Sequence, residues 1–290
     1  MFELIPDSLI DALKDGALSV PVLFLSYLFM EWLERSEKLN EEILSGRSKK
    51  AGPLIGGLLG AVPQCGISGA SAALFSTGTI SLGTMLAVFF ATSDEMLPVL
   101  LTELGRQSGV SALLIFRILL GKILLGVVLG YLADLIFSKL LRPGKDIHSF
   151  CERENCDCDE DGNIFIAALK HTLKIALILI ITGFVLNFLL SYAGADALSG
   201  TVLNRPVVGE LLLALFGLIP NCSVSVILTQ AYLSGIVGLG GLFAGLLSNA
   251  GIGMLVLFRT NRDLRENLTV VGISFALSAA AGILIGLIAG

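Results

Sequence analysis

Long apolar runs and short polar ones alternate along the chain. The apolar segments occupy 17–34, 51–78, 80–101, 110–138, 164–192, 206–234, 236–258 and 267–289. Most approach or exceed the ~20 residues a helix needs to cross a ~30 Å hydrocarbon core. Lipid offers no water to backbone N–H and C=O groups, so segments of this kind must satisfy them internally, as helices. The pattern predicts an all-α polytopic membrane protein.

Two of the runs are interrupted. Residues 58–83 read LLGAVPQCGISGASAALFSTGTISLG, and residues 215–240 read LFGLIPNCSVSVILTQAYLSGIVGLG. Pro63, Gln64 and Cys65 break the first, and Pro220, Asn221 and Cys222 break the second, 157 positions later. At that same offset Gly60, Ser68, Gly78, Gly83 and Ala87 meet Gly217, Ser225, Gly235, Gly240 and Ala244. Pro and Cys are scarce here, eight and five in 290 residues, so the match reads as an internal repeat. Proline cannot continue the helical hydrogen-bond ladder. Each broken run therefore reads as two arms of about 12 residues, ~18 Å each at 1.5 Å per residue, enough to pass mid-bilayer.

The basic residues choose between a full crossing and a re-entrant hairpin. With hairpins, the polar regions 35–50, 139–163 and 259–266 share one side. They hold Arg35, Lys38, Arg47, Lys49, Lys50, Lys139, Arg142, Lys145, Arg153, Arg259, Arg262 and Arg265, twelve against the three (Lys14, Arg106, Arg205) opposite. Lys/Arg-rich loops stay in the cytoplasm. The expected layout is an inverted repeat of about ten helices, each half with three full spans and one re-entrant or broken hairpin. Residues 1–138 form the first repeat, 139–163 a cytoplasmic linker and 164–290 the second. The protein is placed in the cell membrane as a multi-pass chain with both termini extracytoplasmic. Residues 2–13 fit a short amphipathic interfacial helix, with no basic n-region of a signal peptide.

Composition agrees. The chain is 54% hydrophobic and 15% charged, with mean hydropathy +0.87, where a soluble domain carries roughly a quarter charged residues. The net charge of −5 adds little, because charge position outweighs charge sum in a membrane protein. Three of the five cysteines cluster in the linker and two lie in the breaks, which is no secreted disulfide framework.

Irregular backbone at membrane depth is tolerated where it is buried in protein or lines a cavity, and half-helix ends there offer N–H groups to anions and carbonyls to cations. The candidate substrate residues are therefore those of the breaks: Gln64, Cys65 and Ser68, with Asn221, Cys222 and Ser225. Thiolates are soft ligands. Ser93, Asp94 and Glu95 lie inside the run 80–101, and Asn249 matches Thr92 in the second half. A carboxylate at mid-bilayer costs at least ~2.5–3.5 kcal/mol and usually marks a pathway or proton site. The plain alternatives are a tight turn shaped by Pro and Cys, and a packing salt bridge from Asp94 to Arg117 or Lys122. Asp94, Cys65 and Cys222 are the candidate metal ligands at the midplane.

The linker HSFCERENCDCDEDG offers His148, Cys151, Cys156 and Cys158 beside several carboxylates, a soft-metal composition without zinc-finger spacing. A solvated acidic linker with incidental thiols is the bland alternative. His171 opens the next segment.

Taken together, Pro63-Gln64-Cys65, Thr92-Ser93-Asp94-Glu95, the His/Cys linker, His171-Thr172 and Pro220-Asn221-Cys222 resemble the ten-helix heavy-metal exporter family, whose members are described as arsenic-efflux proteins or manganese transporters. The resemblance implies a secondary exporter of a divalent metal ion or an arsenic metalloid. An anion or organic-solute permease and a non-transporting metal sensor are the competing readings. No Walker motif, nucleophile–base pair or zinc-hydrolase motif is visible, so neither an enzyme nor an ATP-driven pump is expected. The expected partners are the substrate ion and the bilayer. No nucleic acid and no cofactor are expected beyond a bound divalent metal, and a homo-oligomer is compatible with this layout.

Overall fold

The computed structural model describes residues 48–62, 65–92, 96–105, 111–137, 207–221, 223–261 and 263–289, together with Phe24, Leu28, Leu169, Leu173 and Leu177. Among these residues every regular element is a helix. The first half supplies α1 (Ser48–Gly60), α2 (Cys65–Ser76), α3 (Leu82–Ala91), α4 (Met96–Gly105) and α5 (Ala112–Phe137). The second supplies α6 (Val208–Gly217), α7 (Ser223–Leu233), α8 (Leu239–Ser248), α9 (Gly253–Thr260) and α10 (Leu264–Ala289). The interfacial helix expected at 2–13 and the linker 139–163 lie outside the described residues. Segments 17–34 and 164–192 contribute only the five single residues, all helical.

Both expected breaks fall between helices, after Gly60 and after Gly217. A further interruption was not expected. The run 80–101, read as one continuous span, is divided into α3 and α4 at Thr92, and the run 236–258 is divided at Asn249–Ile252 in the matching place. Ser93-Asp94-Glu95 is a short polar stretch, and the second gap holds Asn249 and Gly251 at φ +53°; a run of mean hydropathy registers neither.

The turns repeat as well as the helices. After α2, Gly78 takes φ +78° while its N–H reaches the Phe75 carbonyl and the Thr79 N–H reaches that of Leu74. After α7, Gly235 takes φ +72° with bonds from its own N–H to Tyr232 and from Ile236 to Ala231. Each is a left-handed helix stop that a side chain would strain, which accounts for glycine at both positions.

Close glycine contacts set the helix directions. Gly52 lies on Thr84, Gly56 on Thr84 and Val88, and Gly60 on Val88 and Ala91, so α1 and α3 run parallel and in register. Only five residues join the end of α2 to the start of α3. The chain therefore rises along α1, returns along α2 and rises again along α3. Gly126 lies on Ala87 and Ala91, and Gly130 on Gly83 and Ala87, so α5 runs antiparallel to α3. Its first turns overshoot the end of α3 toward α4, so α3 and α4 together make one interrupted traverse. The same relations hold in the second half, where Gly217 and Gly241 align α6 with α8 and Gly282 sets α10 antiparallel to α8.

Burial separates a centre from a rim. In the stretch Leu239–Thr260, which contains α8 and α9, 83% of the most apolar window is buried, against 28% for α5 and 33% for α10. Phe116, Leu124, Val128 and Leu135 on α5, and Leu268, Leu284 and Leu287 on α10, point outward. These two long helices present their apolar faces to lipid, and the short helices α3 and α8 are shielded behind them.

Asp134 explains one polar residue within α5. Its carboxylate accepts the Ser81 hydroxyl and the Gly83 N–H, both at 2.7 Å, and so closes the first turn of α3. The Ser81 hydroxyl oxygen also accepts the Thr84 N–H at 3.1 Å. An N-cap of this kind is worth about 1 kcal/mol. Asp134→Ala is expected to lower the melting temperature of the detergent-solubilised protein, and Asp134→Asn to lower it less. Equal stability of both variants and the parent would remove the cap from the account.

Candidate functional site

Helices that stop in mid-traverse leave unsatisfied backbone groups, with N–H at the starts and C=O at the ends. Such ends converge here at one level. Gly60, closing α1, meets Ala91, closing α3, and Gly217, closing α6, meets Ser248, closing α8. Gly253, opening α9, packs against Ser68 in the first turn of α2 and against the Phe89 ring near the end of α3. Helix α7 packs on α4, as α2 packs on α9. Each half thus sets a broken-run helix against the other half's interrupted traverse.

Polar side chains line this level. Ser68, Thr92, Asn221, Ser225 and Asn249 are all buried. The Asn221 carbonyl accepts the Val224 N–H at 3.3 Å and so anchors the start of α7. The Asn249 side-chain oxygen accepts the Gly251 N–H at 3.0 Å, which shapes the gap between α8 and α9. The Thr92 hydroxyl donates to the Val88 carbonyl at 2.8 Å.

The residue that sequence reasoning undervalued is Lys122. It is 1% exposed, in the middle of α5, and its Nζ donates to the carbonyl of Thr92, the first residue past α3. A carbonyl at a helix C-terminus carries partial negative charge, so the ammonium sits where the helix dipole favours a cation. The signal in the sequence is a stripe. Lys122, Gly126, Gly130 and Asp134 recur every fourth residue, and so share one helix face. The glycines of that face admit α3, and the lysine and aspartate hold its two ends. Arg117, by contrast, is exposed.

Of the expected site residues, the structure brings Ser68, Asn221, Ser225 and Asn249 to one buried level. Cys65 opens α2, and nothing further is described of its side chain. Gln64, Ser93, Asp94, Glu95, Cys222, His148, Cys151, Cys156 and Cys158 lie outside the described residues. Among the described residues no three His, Cys, Asp or Glu side chains gather as a metal-holding group.

Apolar rim helices around interrupted inner ones define a multi-pass, all-helical membrane protein. Residues 2–199 match the family described as "Putative, 10TM heavy-metal exporter", and the chain belongs to that family. The matched region holds the first break and the linker, while α6–α10 lie beyond it and correspond to α1–α5 by the internal offset. Among curated proteins and solved structures, no match was found.

Proposed function

We propose that the chain is a secondary exporter of a divalent, manganese-like metal ion or an arsenic metalloid, working by alternating access between two inverted halves, 1–138 and 164–290, linked by 139–163. The observation that carries the reading is the convergence of interrupted helix ends, with Lys122 on the Thr92 carbonyl. Inversion is supported by helix direction. Ser68 meets Gly253, and the Ser76 and Thr260 hydroxyls hydrogen-bond at 2.7 Å, so α2 and α9 run parallel. Helix α2 is the returning arm of its half and α9 the advancing arm of its own. Two halves packed in that way point in opposite directions.

The charge pattern favours a cation over an anion. Asp94 and Glu95 follow Thr92, whose carbonyl Lys122 meets, by two and three positions, so two carboxylates follow in sequence where one ammonium is bound. Carbonyl ends favour cations as well. Gln64, Cys65, Ser68, Ser93, Asp94, Glu95, Asn221, Cys222, Ser225 and Asn249 would contact the substrate, with Cys65, Cys222 and Asp94 as its ligands. In the linker, His148, Cys151, Cys156 and Cys158 would capture metal on the cytoplasmic side. Flux of Mn²⁺, arsenite and sulfur oxyanions in proteoliposomes tests the substrate class. Flux of only the oxyanions would favour the anion permease, and metal binding without flux would favour the sensor.

The twelve-to-three basic bias places the linker in the cytoplasm. An impermeant thiol reagent applied to intact cells is expected to leave Cys151, Cys156 and Cys158 unmodified. Labelling of those three thiols without permeabilisation would overturn the hairpin topology.

A further inference from the structure

Among the described residues, the two halves differ on the face of their long helices in a way that matters chemically. On α5 the face toward α3 carries Lys122, Gly126, Gly130 and Asp134. On α10 the face toward α8 carries Ser274, Ser278, Gly282 and Gly286 at the same spacing. Gly282 lies opposite Ala244, and Gly286 opposite Gly240. One turn earlier, Ser278 comes level with Ser248. Two turns earlier, Ser274 comes level with the gap that follows α8. Serine 274 therefore holds the place in the second half that Lys122 holds in the first, and Asn249 stands where Thr92 does.

The hydroxyls of Ser248, Ser274 and Ser278 are fully buried, and none of the three has a hydrogen-bond partner among the described residues. A buried hydroxyl without a partner costs ~1–3 kcal/mol, and three within two adjacent levels of the bundle are an unusual concentration. The Asn249 N–H takes the Gly245 carbonyl, so the carbonyls after it at the end of α8 have no intrahelical donor. The place collects neutral oxygen atoms at the negative end of a helix. In the first half, the equivalent carbonyl is met by an ammonium.

We propose that Ser248, Ser274 and Ser278, with the terminal carbonyls of α8, bind a monovalent alkali cation that supplies in the second half the positive charge Lys122 supplies in the first. Hydroxyl and carbonyl oxygens suit a hard cation, and a ligand set without a carboxylate suits a single charge better than a double one. A soft thiophilic ion has no ligand here. The site would give the carrier a coupling ion distinct from its exported substrate. Cation binding is read without that substrate, so the test does not depend on the exporter reading.

The test uses the purified full chain, free of heavy metal, in NaCl, KCl or choline chloride at equal ionic strength. The melting temperature is expected to be higher in NaCl or KCl than in choline chloride, by ~2–4 °C at concentrations well above the dissociation constant. Ser274→Ala with Ser278→Ala should raise the apparent dissociation constant by about tenfold or more. Ser278→Thr, which keeps the hydroxyl, should retain the response and so controls for packing. Ser274→Lys with Ser278→Gly recreates the first half's pattern and should give stability indifferent to the cation. Identical melting in the three salts, as water-filled hydroxyls would give, overturns the proposal. So does an alkali response that survives the double alanine variant.

Discussion

Lys122→Met is expected to reduce flux by up to ~100-fold and to lower the melting temperature of the purified protein. Methionine keeps most of the apolar stem and removes the charge, so the packing of α5 on α3 should survive. What is lost is the donor to the Thr92 carbonyl, a buried acceptor whose desolvation costs ~1–3 kcal/mol when unmet. At ~1.4 kcal/mol per decade, the upper part of that range is about a hundredfold. In an exporter of cations, the ammonium would hold the vacant site near neutrality between turnovers, and the incoming ion would compete with it. Lys122→Arg keeps the charge but brings a planar fork into a slot built for a compact head, so an intermediate rate is expected. Flux assays in proteoliposomes, paired with thermal melts, separate the two roles. A Lys122→Met protein that melts lower but transports at the parent rate would reduce the lysine to a tether for α3.

The reach of the sequence varied by kind of feature. Helical class and the two main breaks were legible because proline, glycine and long apolar runs act locally. The 157-residue offset carried over into matching left-handed glycines at Gly78 and Gly235 and matching close contacts at Gly60 and Gly217. The division of 80–101 was not read, because four polar positions inside an apolar run leave its mean hydropathy high. Lys122 was visible as a charge in a span, but its partner is a backbone carbonyl thirty positions away, and carbonyls have no sequence signature. The serines were overlooked for a related reason. A serine in an apolar helix is ordinary until its neighbours are known, and the register that groups Ser274 and Ser278 with Ser248 comes from Gly282 and Gly286 lying against α8. Asp134 caps α3, a role that only the antiparallel packing of α5 creates.

Cys65→Ser and Cys222→Ser should impair transport in proportion to the softness of the ion, severely for arsenite and slightly for Mn²⁺. Asp94→Asn should do the reverse. Cys65 opens α2 immediately after the first break, and Cys222 holds the matching place immediately before α7. If both thiols reach the substrate, each is a strong ligand for a thiophilic metalloid, whereas a serine hydroxyl in the same place is a weak one. Manganese prefers oxygen donors, so the hydroxyl costs it little. The carboxylate of Asp94 supplies a charged oxygen, and Asn supplies a neutral one. That loss bears most on a hard divalent ion, or on a proton acceptor that serves every substrate. The pattern of the losses therefore identifies the substrate as well as the site. Arsenite flux lost with both thiols and spared by Asp94→Asn would mark a metalloid path. Mn²⁺ flux lost with Asp94 and spared by the serine variants would mark a divalent path. Loss of both fluxes with Asp94→Asn alone would make Asp94 the coupling residue and leave the ligands elsewhere. Parent rates for both substrates in all three variants would show that the breaks are turns that position helices, and that the substrate passes at another level of the bundle.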